Sequence, residues 1–571
     1  MKLYFSSILF IFLLITSNAI AQTNNIKQII KEKNQVTVTF TEKNLSKIRD
    51  ISSKISIEDY RNGEVTAVLS QLQVDAFLRM NYDYKIVSQN RSTMSLDVAT
   101  TVSNMGNWDK YPSYDVYMQM MQDFANNYPN ICVLDTIGNT QEGRKVVVLK
   151  ITDNPNIDEY EPEFFYTGQM HGDEIVTGVL FLRLIDYLLS EYATNDEIIN
   201  IINNTEIWIN PIANPDGMWY GGNENVSNSS RYYANGIDPN RSFKNPLSGE
   251  YGNYSISALE TVDMMSFCTS RDFVMSANSH SGAEVVNYPW DSWTSNEKTS
   301  ADQNWWYYIS HEYADLVHDN SPSIYMADFD NGVTHGGDWY IVTGSRQDFM
   351  NYYNHCREIT LELSNEKLLN SDLLPEHWDY NKDGFIAYLK QVQYGIKGLI
   401  TDACTGEAIK AKIKIENHDA DSSFVYSSLP IGNYHRPIKT GIYDIKISAE
   451  GYQDKIFNSI SVNDEGTVIL DASLFPDNEQ ENPCSGLFTK RIKEVNNIEI
   501  YPNPAKGELN ISLFDQSPTS IKIINSSGRI LYKKRYNKKN ININIEDFPQ
   551  GTYIIKISNN NYSSIKQFVK I

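Results

Sequence analysis

Between Tyr111 and Gln393 strand-like runs alternate with helical ones, and after Tyr394 the helical runs stop. No other feature constrains the fold as much. Val146–Ile151 and Glu163–Thr167 are strand-length runs rich in β-branched and aromatic residues, whereas Val176 to Tyr192 repeats its apolar residues at helical spacing. Strands alternating with helices over such a length predict an α/β domain with a central sheet. The short strands that follow, among them Ala411–Ile415 and Tyr443–Ile447, predict a small β-sandwich. With 571 residues the chain exceeds one hydrophobic core, since single cores stop growing at about 250–300 residues.

The expected boundaries follow from these shifts of pattern. Met1-Lys2, an apolar run from Leu3 to Ile15 and Ala19-Ile20-Ala21 read as a secretory signal peptide over 1–21. Residues 22–105 read as a separate N-terminal module, a pro-segment, with a strand at Val36–Phe40 and helical spacing over Ser70–Leu78. The polar stretch Ser88–Thr93 marks a linker. The α/β domain covers 106–394, the sandwich 395–475, a polar linker 476–496 and a second β-sandwich 497–571. Gly441–Ser448 and Gly551–Ser558 are alike in sequence, which suggests similar penultimate strands in the two sandwiches.

A net charge of −22 makes nucleic acid and anionic membrane surfaces poor partners. No segment beyond the N-terminal run is long and apolar enough to span a bilayer. The five cysteines show no C-x-x-C spacing, so a thiolate metal site is not expected, and their odd number leaves at least one thiol free.

The chemistry is concentrated in a few residues of the α/β domain. His171 and Glu174 sit three apart on the turn between a strand and a helix, at the sheet edge where α/β proteins bind ligands. A catalytic zinc takes three protein ligands, and His280 follows the apolar strand Phe273-Val274-Met275. Glu362 is a carboxylate inside the apolar run Ile359–Leu363, an expensive place for a charge without a task or a partner.

Taken in order, five motifs give this region a resemblance to the zinc metallocarboxypeptidases, in the regulatory branch that includes carboxypeptidases N, E and D. They are His171–Glu174, Asn214–Gly217, Arg231 followed by Gly236–Arg241, Ser276–Gly282 ending in Asn287-Tyr288-Pro289, and Thr360–Leu363. The resemblance spans about 110–475 and implies the zinc carboxypeptidase fold, an α/β domain with a mixed central sheet flanked by helices, followed by a transthyretin-like sandwich. It implies one Zn2+ held by His171, Glu174 and His280, with Asp238 orienting the first histidine. Arg231 would stabilise the oxyanion, and Glu362 would act as general base and acid. Asn240 and Arg241 would grip the C-terminal carboxylate of a peptide substrate, and Tyr340 would close over it.

The same branch reads a basic C-terminal residue with an aspartate, and Asp291 falls at that place, with Gln347 where the branch keeps a glutamine. The implied preference is for C-terminal Lys or Arg. Ser242, Ser279 and the pair Ser345-Arg346 depart from the family pattern, and Arg346 weighs against a cationic substrate. Asp379–Gly384 resembles the start of a calcium loop, but position twelve is Lys390 instead of Glu, so calcium is not expected.

Residues 497–571 resemble the C-terminal sorting domain of type IX secretion in Gram-negative bacteria, through Ile498–Pro504, Gly528-Arg529, Gly551-Thr552-Tyr553 and a closing Lys570-Ile571. The resemblance implies the secretion machinery as a partner and export across the outer membrane, to the cell surface or medium. Two other functions compete: a related zinc amidohydrolase acting on cell-wall peptides, and a non-catalytic surface binding protein. The intact Asn240-Arg241 pair and Tyr340 argue against the first, and the retention of Glu362 and the ligand set against the second.

Overall fold

A computed structural model describes residues 25–87, 95–252, 254, 258–477, 484, 493–494, 498–513, 516, 518–525, 530–558 and 562–571. The expected signal peptide, the Ser88–Thr93 linker, most of the 476–496 linker and Gly528-Arg529 lie outside them.

The N-terminal module is an antiparallel sheet of β1 (Val36–Thr41), β2 (Ser56–Arg61), β3 (Glu64–Leu69) and β4 (Tyr84–Val87), in the order β2-β3-β1-β4. Three helices, α1 (25–33), α2 (Leu45–Ser52) and α3 (Val74–Met80), complete it. Asn44 caps α2 by accepting a hydrogen bond from the Ser46 N–H. Alternate residues of β1, Val36, Val38 and Phe40, point into a small core with Ile48, Ile51 and Phe77. Helical structure begins at Val74 rather than Ser70, because Ser70–Gln73 is taken up by a turn closed through Ser70 O.

The module ends earlier than its sequence suggested. Val98–Ala99 pairs with Tyr111–Pro112, Ser371 N–H donates to Ser95 O, and Ala99 and Met105 are buried in the core of the next domain. Residues 95–105 therefore belong to the α/β domain.

That domain is built on eight strands: β5 (Cys132–Asn139), β6 (Lys145–Ile151), β7 (Glu163–Thr167), β8 (Glu206–Asn210), β9 (Phe273–His280), β10 (Ala283–Tyr288), β11 (Val333–His335) and β12 (Arg357–Ser364). They run in the order β11-β10-β12-β9-β7-β8-β6-β5. The centre, β12-β9-β7-β8, is parallel, while β5, β6 and the β10–β12 pairing are antiparallel, so the sheet is mixed. One face packs on α4 (Tyr114–Asn127), α5 (Val176–Glu191), α8 (Gln303–Asn320) and α10 (Leu374–Lys390). The other face carries α7 (Leu259–Thr269) and α9 (Arg346–Tyr353), with α6 (Asp196–Ile202) at the edge of the first layer. Helix α5 is apolar almost all round because it is enclosed; each buried Leu or Ile there contributes about 1.5–3 kcal/mol. Asp379–Gly384 lies within α10.

Short strands alone follow Tyr394 among the described residues, in two sandwiches over 395–474 and 498–570. Gly551–Ser558 is the penultimate strand of its sandwich, but Gly441–Ser448 is followed by three more strands. The likeness of the two reflects the same period-two burial rather than the same place in the fold. A disulfide joins Cys404 to Cys484, and Cys132, Cys268 and Cys356 are buried thiols. Among the described residues no helix is long and apolar enough to cross a membrane.

Candidate metal centre and substrate cleft

The parallel core strands bring the motif residues to one edge. β9 ends at His280, and its register with β12 sets His280 directly beside Glu362. β7 ends at Thr167, and the loop that follows carries His171 and Glu174 before α5 begins. The loop is packed so closely that a Cβ on Gly172 would meet the Gly217 carbonyl carbon at 2.2 Å, so only glycine fits there.

His171 Nδ1 lies 2.8 Å from Glu174 Oε1, His280 Nδ1 lies 2.8 Å from Glu174 Oε2, and the two Nδ1 atoms are 3.1 Å apart. All three ligand atoms fall within 4.8 Å of one another. Ligands about 2.0–2.1 Å from a tetrahedral zinc stand roughly 3.3 Å apart, so two imidazoles and a carboxylate gathered in this way fit the ion. The other ring nitrogen of His171, Nε2, is 3.1 Å from Asp238 Oδ1, which leaves Nδ1 for a metal. Burial works to raise the Glu174 carboxyl, but His171, His280 and Lys367 bring it well below the usual carboxylate range. The same contest at Asp238 is won by Arg231 and His171, and its carboxyl is also held well below that range.

Arg231 is buried with Nε donating to Asp238 Oδ2 at 2.9 Å and Nη1 at 3.7 Å from Glu174 Oε1. Asp238 opens a short 3-10 turn, Pro239–Arg241, and caps it by accepting from the Asn240 N–H. That turn delivers Asn240 and Arg241 to the cleft, where they share a lining of about 40 Å³ with His171, Glu174, His280 and Glu362. Burial, reinforced by the Glu174 charge and opposed by Lys367 and Arg231, holds the Glu362 carboxyl well above the carboxylate range. Tyr340 lines the same space, and its phenol is pushed up by burial. A larger cavity of about 230 Å³ opens at the opposite edge of the sheet, between Glu163 and His435, but none of the motif residues line it.

Asp291 closes one side of the cleft. Its Oδ1 accepts from Gln347 Nε2 at 3.0 Å and from Asn287 Nδ2 at 3.3 Å. Gln347 thus stands behind Asp291 and does not line the space itself. Arg346, the residue that weighed against a cationic substrate, turns the other way. It is fully buried, its Nη2 lies 3.2 Å from Glu358 Oε2, and its guanidinium covers the Phe165 ring. Its charge is paired beneath the sheet. Ser242 donates to Pro239 O within the 3-10 turn, and Ser279 points toward Thr167 O.

Two groups had no warning in the sequence. Lys367 reaches back from the segment after β12 to within 3.4 Å of Glu174 Oε1. Asp348, on α9, accepts from the backbone of Asp291 and Ser292. A lysine five residues beyond a glutamate carries no periodic signal, and only the turn after β12 brings it home.

Residues 117–384 match the zinc carboxypeptidase family model, and residues 499–571 match the secretion system C-terminal sorting domain. Carboxypeptidase D of Mus musculus is 33% identical over 379 residues, which is 64% of this chain and 26% of that protein. The carboxypeptidase N catalytic chain of Mus musculus is 31% identical over 411 residues, 66% of this chain and 88% of that one. Carboxypeptidase M of Mus musculus is 33% identical over 352 residues, 58% of this chain and 76% of the relative. The chain thus spans about a quarter of the length of the carboxypeptidase D relatives it matches. Through its α/β domain the chain belongs to the zinc carboxypeptidase family, in the branch of carboxypeptidases D, N and M, and it ends in a secretion-system sorting domain.

Proposed function

We propose that the chain is an exported zinc carboxypeptidase that removes single C-terminal residues from peptides and proteins, with a preference for Lys and Arg. The observation that carries this reading is the convergence of His171, Glu174 and His280 with Glu362 and Arg241 on one cleft. His171, Glu174 and His280 would hold the zinc, which supplies Lewis acidity toward the scissile carbonyl and the attacking water. Arg241 and Asn240 bind and orient the substrate's terminal carboxylate, the guanidinium by its paired donors. Glu362 accepts a proton from the attacking water at its carboxylate oxygen and delivers it to the leaving amine. Arg231, locked by Asp238, presents its remaining N–H groups to the oxygen that gains charge. Tyr340 excludes water above them. Asp291 faces the cationic end of a Lys or Arg side chain, and Gln347 and Asn287 keep its oxygen aimed.

Export through the type IX route across the outer membrane of a Gram-negative cell is the companion proposal, supported by the sorting-domain match over 499–571.

The test follows release of the last residue from matched peptides ending in Lys, Arg, Phe or Glu, with and without a zinc chelator, beside Glu362→Gln. Chelator-sensitive release of Lys and Arg is expected. Release of Phe alone would keep the mechanism and discard the role of Asp291. Silence toward all four peptides with zinc bound and the cleft open would discard the carboxypeptidase reading.

A further inference from the structure

Three parallel strands of the central sheet begin on one line. β7 opens with Glu163 and β8 with Glu206, and the register sets these two directly opposite each other. β9 opens with Phe273, opposite Glu163 on its other side, so Asp272 arrives at the same end. The edge away from the metal centre thus carries a row of carboxylates, and like charges in register repel one another. The cavity of about 230 Å³ lies against this row, closed on its far side by Lys410, Tyr426 and His435 of the first sandwich.

The lining is anionic. Asp158, Glu161, Glu163, Glu206 and Asp272 face two cations, Arg271 and Lys410. Glu206 is satisfied, with Lys150 Nζ 2.5 Å from Oε2 and Trp208 Nε1 donating to Oε1 at 2.9 Å. Glu163 is not: its Oε2 is buried without a hydrogen-bond partner among the described residues. Arg271 is drawn aside, 3.6 Å from Asp135 Oδ2 with its guanidinium over the Trp208 and Phe267 rings. Burial, reinforced by Glu206 and Asp272, pushes the Glu163 carboxyl up to about 8, and burial with the Asp153 charge does the same to Glu161. A cation beside them would favour their charged forms.

His435 is a second and separate sign. Its side chain lines the cavity from the sandwich, is 6% exposed, and has no hydrogen-bond partner for Nε2 among the described residues. Burial and the Lys397 charge push the imidazole down to about 3, so the ring is neutral and keeps one nitrogen as an acceptor. Tyr353 and Tyr426 bring aromatic rings to the same space, and such rings attract cations. Among the described residues no three ligand atoms that include one from Glu163 or His435 lie within 4.8 Å of one another, so the row is too wide for a single metal ion. The volume is also several times what one ion or water needs.

We infer that this cavity between the α/β domain and the first sandwich binds an organic cation, a guanidinium or alkylammonium group, held by Glu163 and Asp272 from the sheet edge and by His435 from the sandwich. The inference stands apart from the metal centre and from the proposed function. A guanidinium meets a carboxylate with two parallel N–H groups, and an ammonium with one of three, so either gives Glu163 Oε2 the donor it lacks. The bound cation would also tie the two domains together, since its partners come from both.

The experiment titrates the zinc-loaded full chain by calorimetry with agmatine, with 1,5-diaminopentane and with calcium chloride. Neither amine has a carboxylate for Arg241 to grip. At least one amine is expected to bind at one site per chain. Its affinity should fall at least about tenfold in Glu163→Gln and in His435→Phe, and stay unchanged in Asp291→Asn, which alters the catalytic cleft instead. Glu163→Gln removes a repelling charge, so its melting temperature with no amine added should not drop, and lost binding is then not lost folding. The same amine should raise the melting temperature of the parent chain but not that of Glu163→Gln. No binding of either amine to the parent chain would overturn the inference. So would binding that survives Glu163→Gln but fails in Asp291→Asn, or binding of calcium alone.

Discussion

The backbone N–H of Asp291 donates to Asp348 Oδ1 at 2.9 Å, which sets two buried carboxylates side by side at the wall of the cleft. Burial and the Asp291 charge raise the Asp348 carboxyl to about 7, although the N–H groups of Asp291 and Ser292 pull it down. Burial raises Asp291 as well. Each carboxyl therefore feels the other's charge as it titrates.

A pH dependence of stability follows, and its sign is fixed. Unfolded, Asp348 ionises near 3.8; folded, it holds its proton up to about 7. The folded chain binds the extra proton between those values, so this contribution is complete below about pH 4 and is lost as the pH climbs to about 7, by about 1.4 kcal/mol per pH unit within the window. Melting temperature should fall between pH 5 and about pH 7, and Asp348→Asn should flatten that part of the curve. An unchanged slope in the variant would place the proton elsewhere.

Glu362→Gln keeps the shape of the side chain and removes the proton acceptor. The expected loss in kcat is about 10²- to 10⁴-fold, with zinc content unaltered. Metal analysis of the purified variant separates this from loss of a ligand: His280→Ala should lose both zinc and activity.

Asp291→Asn should lower kcat/KM for peptides ending in Lys or Arg by about tenfold to a thousandfold while leaving peptides ending in Phe nearly unchanged. Arg346→Met should not reverse the charge preference, because that guanidinium is paired with Glu358 beneath the sheet. It should instead cost stability, since the buried Glu358 loses its ion-pair partner and keeps only the Ser276 and Asn278 hydrogen bonds, by up to about 3–5 kcal/mol. Peptide selectivity and thermal unfolding, measured on both variants, would tell the two arginine accounts apart.

The first sandwich is held to the α/β domain by charge. Arg436 Nη2 lies 2.8 Å from Asp302 and 2.5 Å from Asp419, while Arg357 Nη2 lies 3.2 Å from Asp302. All four side chains are nearly or wholly buried. Arg436→Met should destabilise the chain by about 3–5 kcal/mol. A calorimetric scan that matched the unsubstituted protein would show the network to be dispensable. Because Arg357 opens β12 and Glu362 lies near its far end, the same scan should be paired with kcat, which would register any shift passed along the strand.

The order of strands and helices was readable because β6 and β7 are buried on both faces and α5 is enclosed, which writes runs of apolar, β-branched and aromatic residues into the chain. His171, Glu174 and His280 were readable because strand ends and the turns after them are where sheets place chemistry. Lys367 and Asp348 were not, since each acts through a contact between segments far apart in the chain and leaves no spacing to find. The module's length was misjudged for a related reason. Residues 95–105 are polar and short of pattern, yet Ala99 and Met105 are drawn into the main core by a two-residue pairing with Tyr111–Pro112.

The bridge from Cys404 to Cys484 reaches past the last strand of the first sandwich, Ala472–Leu474, yet stops short of the sorting domain matched from residue 499. It divides the connecting segment into two kinds of place to break. A cut after Cys484 detaches the stretch matched to the sorting domain outright and leaves the rest of the chain with Cys484, close to its new end, still tied to the first sandwich. A cut before Cys484 leaves the two parts fastened through sulfur, and they separate only when a reductant reaches them.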